Sequence, residues 1–124
     1  VQTCALPISA KAITEVYKTT NYVIDTHTAV SYAVYQKYLK ESKDTTKTVI
    51  VSTASPYKFT PDVMKSIDAK YTGLNDFELI VELSKITKVD IPAGIKDLET
   101  RSVLHKTVCK KNEMQIQIEK ILKI

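Results

Sequence analysis

Three consecutive β-branched apolar residues, Val49, Ile50 and Val51, constrain the fold of this chain more than any other feature of its sequence. Segments with helical periodicity come before and after them. Such a run between helices is typical of a parallel strand that is covered on both faces, as in α/β proteins. We therefore predict one buried parallel strand at about 48–53.

The predicted strand has no comparable partner in the sequence. Its weak candidates, residues 22–24 and 107–109, are each three residues long. Buried backbone N–H and C=O groups without partners are costly, so a lone strand between helices is unfavourable. The sequence therefore predicts an incomplete, mostly helical fragment of an α/β fold whose other strands lie elsewhere.

Helix-start signals recur along the chain. Asn75 with Glu78 three residues later resembles a capping box, and Asp25 or a nearby threonine can cap a helix that ends near Glu41. Further helices are predicted at residues 10–20, after Thr60-Pro61, at Pro92 and after Asn112. Their apolar stripes are expected to face the core: Val30, Ala33, Val34 and Tyr38; Val63, Met64 and Ile67; Phe77, Ile80 and Val81; Met114, Ile118, Ile121 and Leu122.

Length and composition exclude several classes of protein. At 124 residues and 44% hydrophobic, the chain has the size of one ordinary domain. No apolar run approaches the roughly 20 residues that span a bilayer, and the start lacks the features of a signal peptide, so we expect a cytoplasmic protein that does not bind membranes. Two cysteines and two histidines without ligand spacing predict no metal site.

The positive charge is concentrated at the C-terminus. Residues 1–100 hold equal numbers of basic and acidic side chains, so the net charge of +4 comes from residues 101–124. The lysines there share a stretch with apolar residues and have no interleaved aromatic residues, which favours the solvated face of a helix over a nucleic-acid site.

The first nine residues form a separate segment in our prediction. Residues 1–9, VQTCALPIS, are similar to the translation of a common sequencing adapter and show no periodicity. We expect this segment to be non-native or disordered, and residues 10–124 to be the native part of the chain.

The end of the predicted strand carries polar groups. In open α/β sheets, ligands bind outside the carboxyl ends of the strands, where Thr53 and Ser55 offer hydroxyls and Lys58 offers a cation for a phosphate or carboxylate. The same residues also fit a loop that serves only to join a strand to a helix.

Four stretches in order, DTHTAVSYAVYQKY, TVIVSTASPYKF, LNDFELIVELSKIT and HKTVCKKNEM, resemble the carboxyl-terminal part of the threonine synthase family, pyridoxal-phosphate enzymes of fold type II. The resemblance implies conversion of O-phospho-L-homoserine and water to L-threonine and phosphate. It also implies that the N-terminal part of the same chain is missing here and acts as its partner.

The resemblance implies roles for individual residues. The threonine that matches Thr53 binds the pyridine nitrogen of the cofactor, and Lys58 and Ser55 match the phosphate side of the site, although a histidine is common at the position of Ser55. His27 also matches a family residue, but we favour capping or packing at a helix start as its role over a catalytic one.

Other parts of the family's site have no match. No lysine here matches the Schiff-base lysine, and the two glycines, Gly73 and Gly94, form no phosphate loop. We therefore expect no catalytic residue in this chain and no activity from it alone.

Two alternatives remain open from the sequence. The chain could be a stand-alone α/β binding module with a basic C-terminal helix and no catalysis. It could also come from another fold-type II lyase that acts on a related phosphorylated substrate.

Overall fold

A computed structural model describes the backbone of residues 2–124 and the side chains of residues 7–124. The described chain forms five α-helices: α1 (Gln2–Thr20), α2 (Thr26–Ser42), α3 (Thr60–Ile67), α4 (Asp76–Thr87) and α5 (Met114–Leu122). Three short 3₁₀ helices lie at Pro56–Phe59, Ala69–Tyr71 and Lys111–Glu113. No helix in this part of the chain is both long and apolar enough to cross a membrane.

The predicted α/β fold is wrong. Residues 2–124 contain no strand, and residues 48–53 run without regular secondary structure. Val49 is 86% exposed and Val51 is 73% exposed, so the run is not a buried strand. The physical reason is the one that made the strand unusual: no second run in the chain can supply the inter-strand hydrogen bonds, and β-branched residues alone do not make a sheet.

The core lies among the first four helices. Helix α1 packs against α2 and α3, and α3 packs against α4. The buried apolar residues are Ala12, Ile13, Val23, Ile24, Ala29, Tyr57, Val63, Met64, Leu79 and Leu83. The segment between α1 and α2 supplies two of them, so this short connection is part of the core rather than a surface loop.

Two predicted helix starts are confirmed in detail. Asn75 accepts hydrogen bonds from the backbone N–H groups of Phe77 and Glu78, and the Glu78 carboxylate accepts one from the Asn75 N–H at 2.8 Å. This is the predicted capping box. Asp25 caps α2 by accepting hydrogen bonds from the backbone N–H groups of His27 and Thr28. Both signals are local in sequence, which explains why they could be predicted.

Other expectations about helices fail. The helix predicted at Pro92 does not form: residues 93–100 are turns, and Lys110, not Asn112, precedes the last helical segment. The stripe of α3 is buried at Val63 and Met64, as predicted. Several other residues expected in the core are exposed instead: Val30, Val34, Tyr38, Val81, Met114, Ile118, Ile121 and Leu122.

The segment predicted as non-native overlaps the first helix. Val1 lies outside the described residues, and the backbone of the following residues belongs to α1. Ser9 is buried at the end of the segment. The origin of residues 1–9 stays a prediction.

Candidate functional site

A buried carboxylate begins the second helix. The Asp25 side chain is fully buried, and its Oδ1 accepts hydrogen bonds from the backbone N–H of His27 at 2.8 Å and of Thr28 at 3.3 Å. Asp25 has an extended backbone, with φ −75° and ψ 168°, as is usual for a residue that caps a helix. A negative charge at this end also interacts favourably with the helix dipole.

The other oxygen of Asp25 binds two hydroxyls. The Thr28 hydroxyl donates to Oδ2, and the Ser52 hydroxyl lies 3.1 Å from the same atom. The two hydroxyl oxygens are 2.9 Å apart. Ser52 comes from the irregular segment that precedes the Pro56–Phe59 helix, so one carboxylate joins this segment to the start of α2.

The surroundings of Asp25 keep it ionised. Burial raises the pKa of the Asp25 carboxyl, but hydrogen bonds from the Thr28 hydroxyl, the His27 and Thr28 backbone N–H groups and the Ser52 hydroxyl outweigh burial and hold the pKa below its usual value. The His27 Nδ1 lies 3.5 Å from Oδ1. Near neutral pH the group is therefore a carboxylate that accepts hydrogen bonds.

Thr53 follows Ser52 directly and faces solvent. Its hydroxyl makes no hydrogen bond with any of the residues that the structure describes. The Ser52 hydroxyl also lies 3.2 Å from the carbonyl oxygen of Ala54, so one side chain contacts the chain on both sides of Thr53. Thr53 thus offers a hydroxyl on a segment that is held in place by its neighbours.

Ser55 caps the short helix that follows, and Lys58 lies in it. The Ser55 hydroxyl accepts a hydrogen bond from the Tyr57 N–H at 3.3 Å and caps the 3₁₀ helix, and it lines a cleft of about 180 Å³ together with Tyr22 and Val89. Its own hydrogen is left to donate to a ligand. Lys58 is exposed, with its Nζ 5.5 Å from the centre of the Phe59 ring.

The Phe59 ring contacts two side chains beside this segment, those of His27 and Lys58. The rings of Phe59 and His27 are tilted by 51° with centres 4.9 Å apart, and Lys58 lies over the same Phe59 ring. The His27 side chain is 63% exposed. His27 therefore packs at the start of α2, the role that the sequence favours, while its imidazole stays accessible.

The structure adds Asp25, Thr28 and Ser52 to the candidate site. Asp25 could be recognised as a helix cap from its position before Thr26 and Thr28, but its contact with Ser52 spans 27 residues. No local pattern in the sequence predicts such a contact. The predicted residues Thr53, Ser55 and Lys58 lie in one continuous stretch, and the hydroxyl network fixes the start of that stretch.

The chain matches a known protein family. The family model described as "Threonine synthase, C-terminal" matches residues 28–118, well over half of the chain. The match includes Ser52, Thr53, Ser55 and Lys58 and begins three residues after Asp25. A search of curated proteins finds no match.

Proposed function

Because this chain belongs to the threonine synthase C-terminal family, we propose that its parent protein converts O-phospho-L-homoserine and water to L-threonine and phosphate, with pyridoxal phosphate as cofactor. The phosphate leaves the γ carbon of the substrate, which gains a hydrogen, and the hydroxyl group from water replaces a hydrogen at the β carbon. When bound, the cofactor withdraws electrons from the bonds next to the substrate's amino group. The contribution of this chain is to bind and orient.

The observation that carries the proposal is the state of Thr53. Its hydroxyl is exposed and makes no hydrogen bond with the described residues, although the residue lies between two anchored neighbours. A neutral hydroxyl of this kind can donate to the pyridine nitrogen of the cofactor without requiring that nitrogen to be protonated. The donor at Thr53 therefore fits the cofactor.

Lys58 and Ser55 fit the phosphate side of the site. The Lys58 ammonium group is exposed and forms no ion pair with the described residues, so it is free to meet an anion. The Ser55 hydroxyl already accepts one hydrogen bond and can donate another. A cation and a hydroxyl donor are the groups that phosphate oxygens bind.

The proposal places the lysine that holds the cofactor outside this chain. We expect this chain, mixed with pyridoxal phosphate and O-phospho-L-homoserine, to release no phosphate above the background. A phosphate assay tests this directly, with the cofactor and substrate alone as the control. Phosphate release that depends on the chain would contradict this part of the proposal. A cytoplasmic location and the absence of nucleic-acid and membrane partners stay predictions.

The role of Thr53 predicts a specific loss. In the full-length parent protein, Thr53→Val should weaken the binding of pyridoxal phosphate about tenfold, the effect of one hydrogen bond of roughly 1.4 kcal/mol. Valine keeps the shape of threonine, and the site is exposed, so the stability of the fold should change by less than about 0.5 kcal/mol. Equilibrium dialysis of the cofactor measures the affinity.

The matched control is Thr45→Val, which makes the same change at another exposed threonine, outside the stretch 53–58. This variant should bind the cofactor as the unmodified protein does. An unchanged affinity for Thr53→Val, or an equal loss for both variants, would refute the role of Thr53.

A further inference from the structure

The segment that carries Thr53, residues 49–54, makes very few hydrogen bonds within the described chain. No hydrogen bond between two backbone groups joins residues 49–54 to one another or to the rest of the described chain. Their polar contacts are those of the Ser52 hydroxyl, with the Asp25 carboxylate, the Thr28 hydroxyl and the Ala54 carbonyl. This hydroxyl therefore determines how the segment is held.

Asp25 is a firm anchor for that hydroxyl. Its carboxylate is fully buried, and one of its oxygens is fixed by two backbone N–H groups at the start of a 17-residue helix. The other oxygen is left to face the hydroxyls of Thr28 and Ser52. Through this contact, Ser52 is held at the start of α2.

The contacts of Ser52 lie on both sides of Thr53. The hydroxyl belongs to the residue before Thr53, and the carbonyl that it meets at 3.2 Å belongs to the residue after it. Two hydroxyl hydrogens, those of Ser52 and Thr28, serve four oxygen–oxygen contacts, so they form one shared network rather than four separate bonds.

We propose that Asp25 is a positioning residue: its buried carboxylate holds the Ser52 hydroxyl in place, fixes the backbone next to Thr53 and so presents the Thr53 hydroxyl to the cofactor. This inference rests on the proposed role of Thr53. A segment that is ordered before the ligand arrives loses less conformational freedom on binding, so the anchor raises the affinity without touching the ligand.

Ser52→Ala tests this inference better than a change at Asp25. Alanine at this position removes the tie to the segment but leaves both capping hydrogen bonds of α2, so the variant should fold. In this chain without cofactor, amide order parameters for Thr53 and Ala54, measured by ¹⁵N relaxation, should fall from about 0.85 to below about 0.6. In the full-length parent, the dissociation constant for pyridoxal phosphate should rise about fivefold.

Two further variants separate positioning from a general loss of stability. Ser52→Thr restores the hydroxyl and should restore both the order and the affinity. Ser42→Ala removes a hydroxyl that also contacts two backbone groups, Tyr38 C=O and Asp44 N–H, at the other end of α2. It should leave Thr53 ordered and the affinity unchanged.

The outcomes are distinct. Unchanged order parameters in Ser52→Ala would overturn the inference, and so would lost order with unchanged affinity when Thr53→Val does weaken binding. If Thr53→Val leaves the affinity unchanged, the proposed role of Thr53 fails first, and the positioning role fails with it.

Discussion

Asp25→Ala is expected to lower the free energy of unfolding by about 3 kcal/mol. The substitution removes the cap of α2, which contributes about 1–2 kcal/mol in comparable helices. It also removes the ionised acceptor of the Thr28 and Ser52 hydroxyls, and hydrogen bonds to charged groups contribute about 1.5–3 kcal/mol each before the freed hydroxyls find other partners. Urea unfolding near neutral pH, followed by circular dichroism, measures the loss.

Two controls show whether the network matters beyond the cap. Asn75→Ala removes the cap of α4, where no contact comparable to that of Ser52 exists among the described residues, and should cost only about 1 kcal/mol. Asp25→Asn keeps the shape and the cap but removes the charge, so its loss should lie between the two. A loss for Asp25→Ala no larger than that for Asn75→Ala would contradict the importance of the network.

The pH dependence of the same comparison follows from the sign of the pKa shift. Although burial raises the pKa of Asp25, its hydrogen bonds lower it by more, so the pKa in the folded chain lies below the ordinary value of an aspartate. The stabilisation is therefore fully present above the ordinary pKa and is lost as the pH falls through the folded value. The advantage of the unmodified chain over Asp25→Asn should be constant from neutral pH to about pH 5 and should shrink below about pH 4.

Met64→Ala is the second substitution with a large expected effect, a loss of about 3 kcal/mol in the free energy of unfolding. Met64 is fully buried in α3, the helix that packs against both α1 and α4. Truncation removes most of the side chain and leaves a cavity that its neighbours fill only in part. Thermal or urea unfolding measures the loss.

The second methionine of the chain provides a matched control. Met114 begins α5 and is 53% exposed, so Met114→Ala leaves no closed cavity and should cost less than about 1 kcal/mol. Equal losses for the two methionines would show that the described core is not the one that stabilises the chain.

The sequence predicted those features of the fold that depend on neighbouring residues. The capping box of Asn75 and Glu78 and the cap at Asp25 are local, because each needs residues only two or three positions away. The buried stripe of α3 was also predicted, since an eight-residue helix between two neighbours has little choice of face.

The fold class could not be predicted in this way. A strand depends on partners that can lie anywhere in a chain, and the run at Val49 and Val51 is exposed and unpaired although its composition favours a strand. The prediction that the apolar faces of α2 and α5 are buried is wrong for a related reason. Apolar spacing shows that a helix has an apolar face, but only packing decides whether that face is covered, and Val34 and Ile121 are both more than 60% exposed.

The candidate site was predicted only in part. Thr53, Ser55 and Lys58 were named from the predicted strand end and from the family resemblance, and their roles stay predictions. The contact that holds this stretch joins Asp25 to Ser52, and a contact of that range leaves no periodic trace in the sequence.

The contacts that stabilise the Asp25 charge determine how salt affects it. Its shortest contacts come from backbone N–H groups and hydroxyls, which are dipoles within about 3.3 Å, and the carboxylate is fully buried. Dissolved ions screen interactions between exposed charges over a Debye length of about 8 Å at physiological ionic strength, but they do not enter such contacts. Surface ion pairs such as Lys37 with Glu41 weaken as salt is added. We therefore expect the contact between Asp25 and Ser52 to keep its strength from dilute buffer to high ionic strength.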